Sequence, residues 1–230
     1  MIRAVIFDMD GVLIDSEMAY IRIWKSLYDK MQIPIKIEDL YFLAGSPHHV
    51  EIDLLSEKAG IDQEEAERIH TEFFRRNPVD YKKIRKHYVK EILNDLSRKK
   101  IIIALASSSK PENIAEVLDQ CEISEYFSVI TSGHMFKKTK PDPEIYIKTV
   151  ELLGVQKEEI IVIEDSPYGI KAAKSAGLCV IAIEDPILCY DNKEADFVVK
   201  DLEEAERIIE KCWDLSSVDM AVLPQGSQLP

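Results

Sequence analysis

Several things are scarce in this sequence, and each scarcity closes a class of function. The four cysteines, Cys121, Cys179, Cys189 and Cys212, form no Cys-x-x-Cys pair and no cluster with metal-ligand spacing. That leaves no basis for a disulfide framework or a cysteine metal site, and reduced thiols are expected. No apolar run approaches the ~18 residues that a membrane span needs. The opening MIRAVIFD turns charged too soon for a secretory leader. A cytoplasmic protein with no membrane partner is expected. An excess of positive charge is lacking too: 29 Lys and Arg against 42 Asp and Glu give a net charge of −13. Such a field repels a phosphate backbone, so nucleic acid is not an expected partner. Internal repeats and low-complexity tracts are also lacking.

What is present suits a soluble globular protein. Hydrophobic residues make up 46% of the 230 and charged residues 31%, enough for one large core with or without a small second domain. Short Ile/Val-rich runs recur near 2–7, 101–106, 128–131, 160–164, 179–183 and 196–199. Continuous apolar runs of this length fit strands buried on both faces. Helical patterns separate most of them. Pro111 opens one and Gly154 closes another. In SPYGIKAAKSAG, Ser166 reads as the N-cap, Pro167 as the first helical residue and Gly177 as the stop. Strand alternating with helix predicts an α/β fold with a Rossmann-like, doubly wound parallel sheet.

The stretch 16–86 breaks that rhythm. It shows helical spacing instead, as in Met18, Ile21, Trp24 and Tyr28, and it is too long for a loop. The expected division is a core of residues 1–15 and 87–213, with a small α-helical cap, 16–86, inserted after the first strand. The tail, 214–230, has no clear periodicity, and partial disorder is expected there.

In an open parallel sheet, ligands bind at the carboxyl ends of the strands. The first strand ends in FDMDG, with Asp8, Asp10 and Gly11. The second ends in SSSK, beginning at Ser107 and Ser108. The third leads into KKTKPDP, with Lys140. The fourth ends in Glu164 and Asp165. Asp8, Glu164 and Asp165 offer hard oxygen ligands that suit Mg²⁺, and Lys140 and the Ser107 turn offer partners for an anion. Each piece alone could be a cap or a solvated side chain. Four of them at strand ends on one sheet edge point to a metal- and phosphoryl-binding site.

These motifs resemble those of the haloacid dehalogenase superfamily of phosphohydrolases, in the branch with β-phosphoglucomutase and phosphoglycolate phosphatase. The matching segments are DMDGVLIDSE, ALASSS, KPDPEIY and VIEDSPYGIKAAKSAG, in order and at family-like spacing. The resemblance implies Asp8 as the nucleophile that forms an aspartyl-phosphate, and Asp10 as the general acid/base. It implies Mg²⁺ held by Asp8, the Asp10 carbonyl, Asp165 and Glu164. Ser107, Ser108, Lys140 and Gly11 would serve the phosphoryl group.

The cap departs from the pattern. Where β-phosphoglucomutases carry Gly-x-x-Arg, this chain has Gly45 followed by His48, and Tyr20 stands where a His is usual. A His cannot form the guanidinium's bidentate grip on a distal phosphate. Gly45 and His48 remain candidate substrate contacts. The leading expectation is therefore a monomeric Mg²⁺-dependent phosphoric monoester hydrolase acting on a small phosphorylated metabolite such as a sugar phosphate. A β-phosphoglucomutase-like phosphotransferase is the alternative, and a non-catalytic phosphometabolite- or protein-binding module a third reading.

Overall fold

A computed structural model describes residues 1–46 and 48–214. Its centre is a parallel sheet of β1 (Ala4–Phe7), β2 (Ile102–Ser107), β3 (Val129–Ser132), β4 (Ile160–Glu164), β5 (Cys179–Ile183) and β6 (Phe197–Val199), in the order β3-β2-β1-β4-β5-β6. This is the doubly wound, Rossmann-like architecture expected, and its switch point lies between β1 and β4. The expected strand positions hold to within a residue or two. The register sets the site: Phe7 pairs with Leu105 on one side and Ile163 on the other. The next residues along, Asp8, Ala106 and Glu164, therefore form one row across three strands.

Alternation along each strand divides the core. Val5, Phe7, Ile103, Leu105, Ile161 and Ile163 pack on one face with residues of α5 (Val89–Arg98), α6 (Pro111–Gln120) and α9 (Leu202–Asp214). Ala4, Ile6, Ala104, Ala106, Ile160 and Val162 pack on the other with α7 (Glu144–Leu153) and α8 (Pro167–Ser175). Burying each large aliphatic contributes about 1.5–3 kcal/mol. The sequence signals for the helix ends hold: Pro111 and Pro167 stand in first turns. Ser166 Oγ accepts from the Gly169 amide at 3.1 Å, and Gly154 stops α7 in the left-handed region at φ 62°.

Residues between β1 and α5 are helical: α1 (Ser16–Lys30), α2 (His48–Ala59), α3 (Gln63–Arg76) and the single turn α4 (Tyr81–Ile84). Met18, Ile21, Trp24 and Tyr28 of α1 join Ile52, Leu55, Ala66 and Phe73 of α2 and α3 in a hydrophobic cluster of their own. Tyr81, Val79 and Ile84 pack instead with the sheet's core. The chain leaves and returns through a small backbone joint. The Asp15 amide donates to Ile84 O at 2.8 Å, and the Lys86 amide to Leu13 O at 2.9 Å. Asp15 thus stands at the exit to α1. Asp214 ends α9, so the rest of the tail expectation lies outside the described residues. No described helix is long and apolar enough to cross a membrane. All four cysteines are free thiols.

Candidate active site

The row Asp8, Ala106, Glu164 presents three oxygens to one cation. Lys140, on the loop after β3, donates its Nζ to Asp8 Oδ1 at 2.7 Å, to Ala106 O at 2.9 Å and to Glu164 Oε1 at 2.7 Å. Its side chain is only 5% exposed. Burial alone would make this ammonium easier to deprotonate, but Asp8 and Glu164 outweigh it and hold the Lys140 pKa well above the usual lysine value. Its charge is therefore fixed.

Glu164 is fully used. Tyr146 Oη in α7 donates to Oε1 at 2.7 Å, beside Lys140. The amides of Asp165 and Ser166 reach Oε2 at 3.1 and 3.3 Å, and Ser166 Oγ lies 3.2 Å from it. Burial would raise its pKa, yet Lys140 and these donors bring it below the ordinary value. Gly169 makes room for this carboxylate, since a Cβ there would fall 1.8 Å from Glu164 Oε1.

Asp8 and Asp165 are in the opposite condition. Burial, with Glu164 and Asp10 adding to it against the pull of Lys140, pushes Asp8 up to about 7. Burial, then Glu164 and Asp8, raises Asp165 well above the carboxylate range. Ligand oxygens of Asp8, Glu164 and Asp165 all lie within 4.8 Å of one another. Three buried carboxylates facing one lysine carry more negative charge than the protein neutralises. Their hard oxygen donors fit a divalent cation such as Mg²⁺. Gly11 completes the cradle. Its φ is 75°, and a Cβ on it would fall 1.8 Å from Asp165 Oδ2, so the turn after β1 can pass this close to the carboxylate only as glycine.

Asp10 sits apart from the lysine. Ser16 Oγ donates to its Oδ1 at 2.6 Å and Ser109 Oγ to its Oδ2 at 3.0 Å. One hydroxyl is the first residue of α1, the other belongs to the loop after β2. Ser107 is fully buried, and its Oγ accepts from the Ser109 amide at 3.1 Å, which leaves the hydroxyl proton to donate. Ser108 is exposed on the same loop. Ser132 Oγ ties that loop down by donating to Ser109 O at 2.6 Å.

The candidate substrate residues of the helical segment fall in different places. The Gly45 amide donates to Glu17 Oε2 at 3.0 Å, and Gly45 lines a cavity of ≈ 180 Å³ with Glu17, Tyr20, Trp24, Ser46 and Glu51. Tyr20 stacks on Phe74 and shares a 3.4 Å hydroxyl contact with Tyr81. His48 does not line the cavity and meets it only through Glu51. Its Nε2 lies 3.0 and 2.9 Å from the two Glu67 carboxylate oxygens, and its Nδ1 3.5 Å from Glu51 Oε2.

Sequence reasoning passed over Tyr146, Ser16, Ser109 and Gly169. Tyr146 carried one available signal: a tyrosine on the inward face of a helix needs a partner for its hydroxyl.

Residues 5–183 match the family described as haloacid dehalogenase-like hydrolase. A phosphorylated carbohydrates phosphatase of Thermotoga maritima is 35% identical over 187 residues, which cover 76% of this chain and 82% of that protein. The beta-phosphoglucomutase of Bacillus subtilis is 28% identical over 189 residues, covering 79% and 83%. The crystal structure of a candidate beta-phosphoglucomutase from Thermotoga maritima superposes with a TM-score of 0.79 at 30% identity, covering 91% of this chain and 99% of that one.

Proposed function

The chain belongs to the haloacid dehalogenase-like hydrolases, and from that premise we propose that it is a Mg²⁺-dependent phosphatase of a small sugar-like phosphomonoester. The observation that carries this reading is the row Asp8–Lys140–Glu164 at the sheet's switch point, with Asp165 beside it.

In this reading Asp8 attacks phosphorus through a carboxylate oxygen, and the ester P–O bond breaks as the aspartyl-phosphate forms. The Asp10 carboxyl gives its proton to the departing alkoxide. It then takes a proton from the water that attacks the phosphoenzyme, and phosphate and free Asp8 result. Lys140 holds Asp8 in line and, with the Ser107 hydroxyl, meets the phosphoryl oxygens. Glu164 acts chiefly by fixing Lys140. Further neutralisation of those oxygens is what a divalent cation supplies when held by Asp8, Asp165 and the Asp10 carbonyl, with Glu164 at or just behind that shell. Residues 16–86 are read as a cap over this edge.

The cavity of the helical segment favours hydrolysis over mutase chemistry. Mutases of the bisphosphate type need a cation for a second phosphate. This cavity offers Glu17 and Glu51 instead. Such walls suit a neutral polyol and repel a second anion. The relative whose name specifies phosphorylated carbohydrates points the same way.

The test is phosphate release from a panel of hexose and pentose monophosphates and the matching bisphosphates, run beside a glucose 1-phosphate isomerisation assay. Monophosphates should exceed bisphosphates by at least ~10-fold in kcat/KM, the scale of one unfavourable charge contact of about 1.4 kcal/mol. Isomerisation faster than phosphate release would reverse the assignment.

A further inference from the structure

Outside the site described above, a second group of metal-ligating side chains lies on the helical hairpin of α2 and α3. His48 opens α2, and Glu67 and His70 stand three apart on α3, which places them on one face. One ligand atom from each of His48, Glu67 and His70 lies within 4.8 Å of the other two. The rings of His48 and His70 are 5.0 Å apart by centroid. We propose that His48, Glu67 and His70 form a binding site for a Zn²⁺-class divalent cation, separate from the carboxylate site at the sheet edge.

Two imidazoles and one carboxylate make a mixed nitrogen and oxygen set, which selects zinc and its late first-row neighbours over magnesium. His70 is prepared for the task, whereas His48, whose pKa the Glu67 contact raises, must give up its proton to ligate. His70 is wedged between Trp24, at 4.9 Å, and Phe74, at 4.2 Å, so its orientation is set by packing. Its side chain is only 13% exposed. Burial, helped by His48, pushes its pKa down to about 4 and leaves the ring neutral. His48 already has Nε2 on the Glu67 carboxylate at 2.9 Å, a contact a cation could replace, and its Nδ1 faces Glu51 Oε2 at 3.5 Å. A carboxylate behind the second ring nitrogen is the usual support for a ligating histidine. His48 and Glu67 are each about half exposed, which gives an ion access and leaves a position for water.

A bound ion would pin the start of α2 to the middle of α3. That start follows the segment holding Gly45 and Ser46, and Glu51 is shared with the cavity wall. Occupancy would thus bear on the cavity without entering the sheet-edge chemistry.

Tag-free, full-length protein saturated with Mg²⁺ should be titrated with Zn²⁺ by calorimetry and with Co²⁺ by visible absorption. One Zn²⁺ per chain should bind with a Kd below about 100 µM, and Co²⁺ should give the strong bands of a low-coordinate site. His48→Gln and Glu67→Gln, both at half-exposed positions, should each weaken binding at least ~10-fold, while Asp8→Asn leaves it in place. Circular dichroism melts of the variants confirm that each is folded. Binding weaker than that limit, binding that survives both substitutions, or binding lost only in Asp8→Asn would overturn the assignment.

Discussion

Ser16 Oγ donates to Asp10 Oδ1 at 2.6 Å, so the first residue of α1 holds the acid of the sheet-edge site. Ser109 holds the other oxygen from the opposite side. The departure of the chain into the helical segment is thereby coupled to the orientation of Asp10. A hydrogen bond to a charged group contributes about 1.5–3 kcal/mol. Ser16→Ala should therefore lower kcat by roughly 10- to 100-fold with KM nearly unchanged, as read from phosphate release. The double variant with Ser109→Ala should lose less than the sum of the single losses, because either one alone already frees the carboxyl. Full kcat in both single variants would mean that Asp10 needs neither hydroxyl.

Lys140 is the only cation contacting the carboxylates of Asp8 and Glu164 among the described residues. Removing one partner of a buried ion group costs about 3–5 kcal/mol, since the other charges stay buried without it. Lys140→Met should lower the unfolding free energy extrapolated from urea denaturation by that amount, moving the midpoint down, and abolish turnover. Added Mg²⁺ should restore part of the stability and none of the activity. A midpoint like that of the parent protein would show that the carboxylates take up protons at little cost.

The raised pKa values make the cation-free protein sensitive to pH in a defined direction. Asp8 moves from 3.8 to about 7, and Asp165 shifts the same way. A group that binds its proton more tightly when folded contributes stability below its unfolded pKa, and that contribution is lost as pH rises through the folded value. Glu164, held below its ordinary value, works oppositely and loses its contribution only as the solution becomes acidic. Between about pH 4 and 7 the Asp8 and Asp165 effects should dominate, so in chelator the melting temperature should fall as pH rises. At pH 8, Mg²⁺ at a hundred times its Kd should restore ~2.7 kcal/mol, about 5–10 °C for a chain of this size. At pH 5 it should restore much less. Equal shifts at both pH values would contradict ionised carboxylates as the ligands.

Much of this arrangement was legible in the sequence because strands buried on both faces announce themselves as apolar runs, and each run ends at a polar residue. Asp8, Ser107 and Glu164 follow that rule. What was not legible came from pairing across long sequence distances. Nothing local ties Tyr146 to Glu164, or Ser16 to Asp10, before the register is known. His48 is similar. Its position after Gly45 pointed to substrate, and the fold adds a contact to Glu67 that nothing local announced, beside one to Glu51. Tyr88 is a further case. Just before the returning helix it takes the left-handed conformation that glycine favours, at φ 68°. Its hydroxyl donates to Glu206 at 2.8 Å, an anchor that glycine could not supply.

Gly11 permits the sharpest test of the carboxylate cradle, because a matched control exists. At Gly11 a methyl group would fall 1.8 Å from Asp165 Oδ2, and the backbone is at φ 75°. At Gly154, φ is 62° but nothing lies within 4 Å of the added Cβ. Both alanine variants bear the strain of a positive φ, about 1–3 kcal/mol. Only Gly11→Ala must also displace Asp165, a proposed cation ligand. In chelator Gly11→Ala should lose more stability than Gly154→Ala, because it must also move a buried side chain. Gly11→Ala alone should then need at least ~10-fold more Mg²⁺ for half-maximal activity, the scale at which disturbing a metal's support weakens binding. If both variants kept the parent Mg²⁺ requirement, Asp165 would be dispensable as a ligand, and the close approach at Gly11 would be a matter of packing alone.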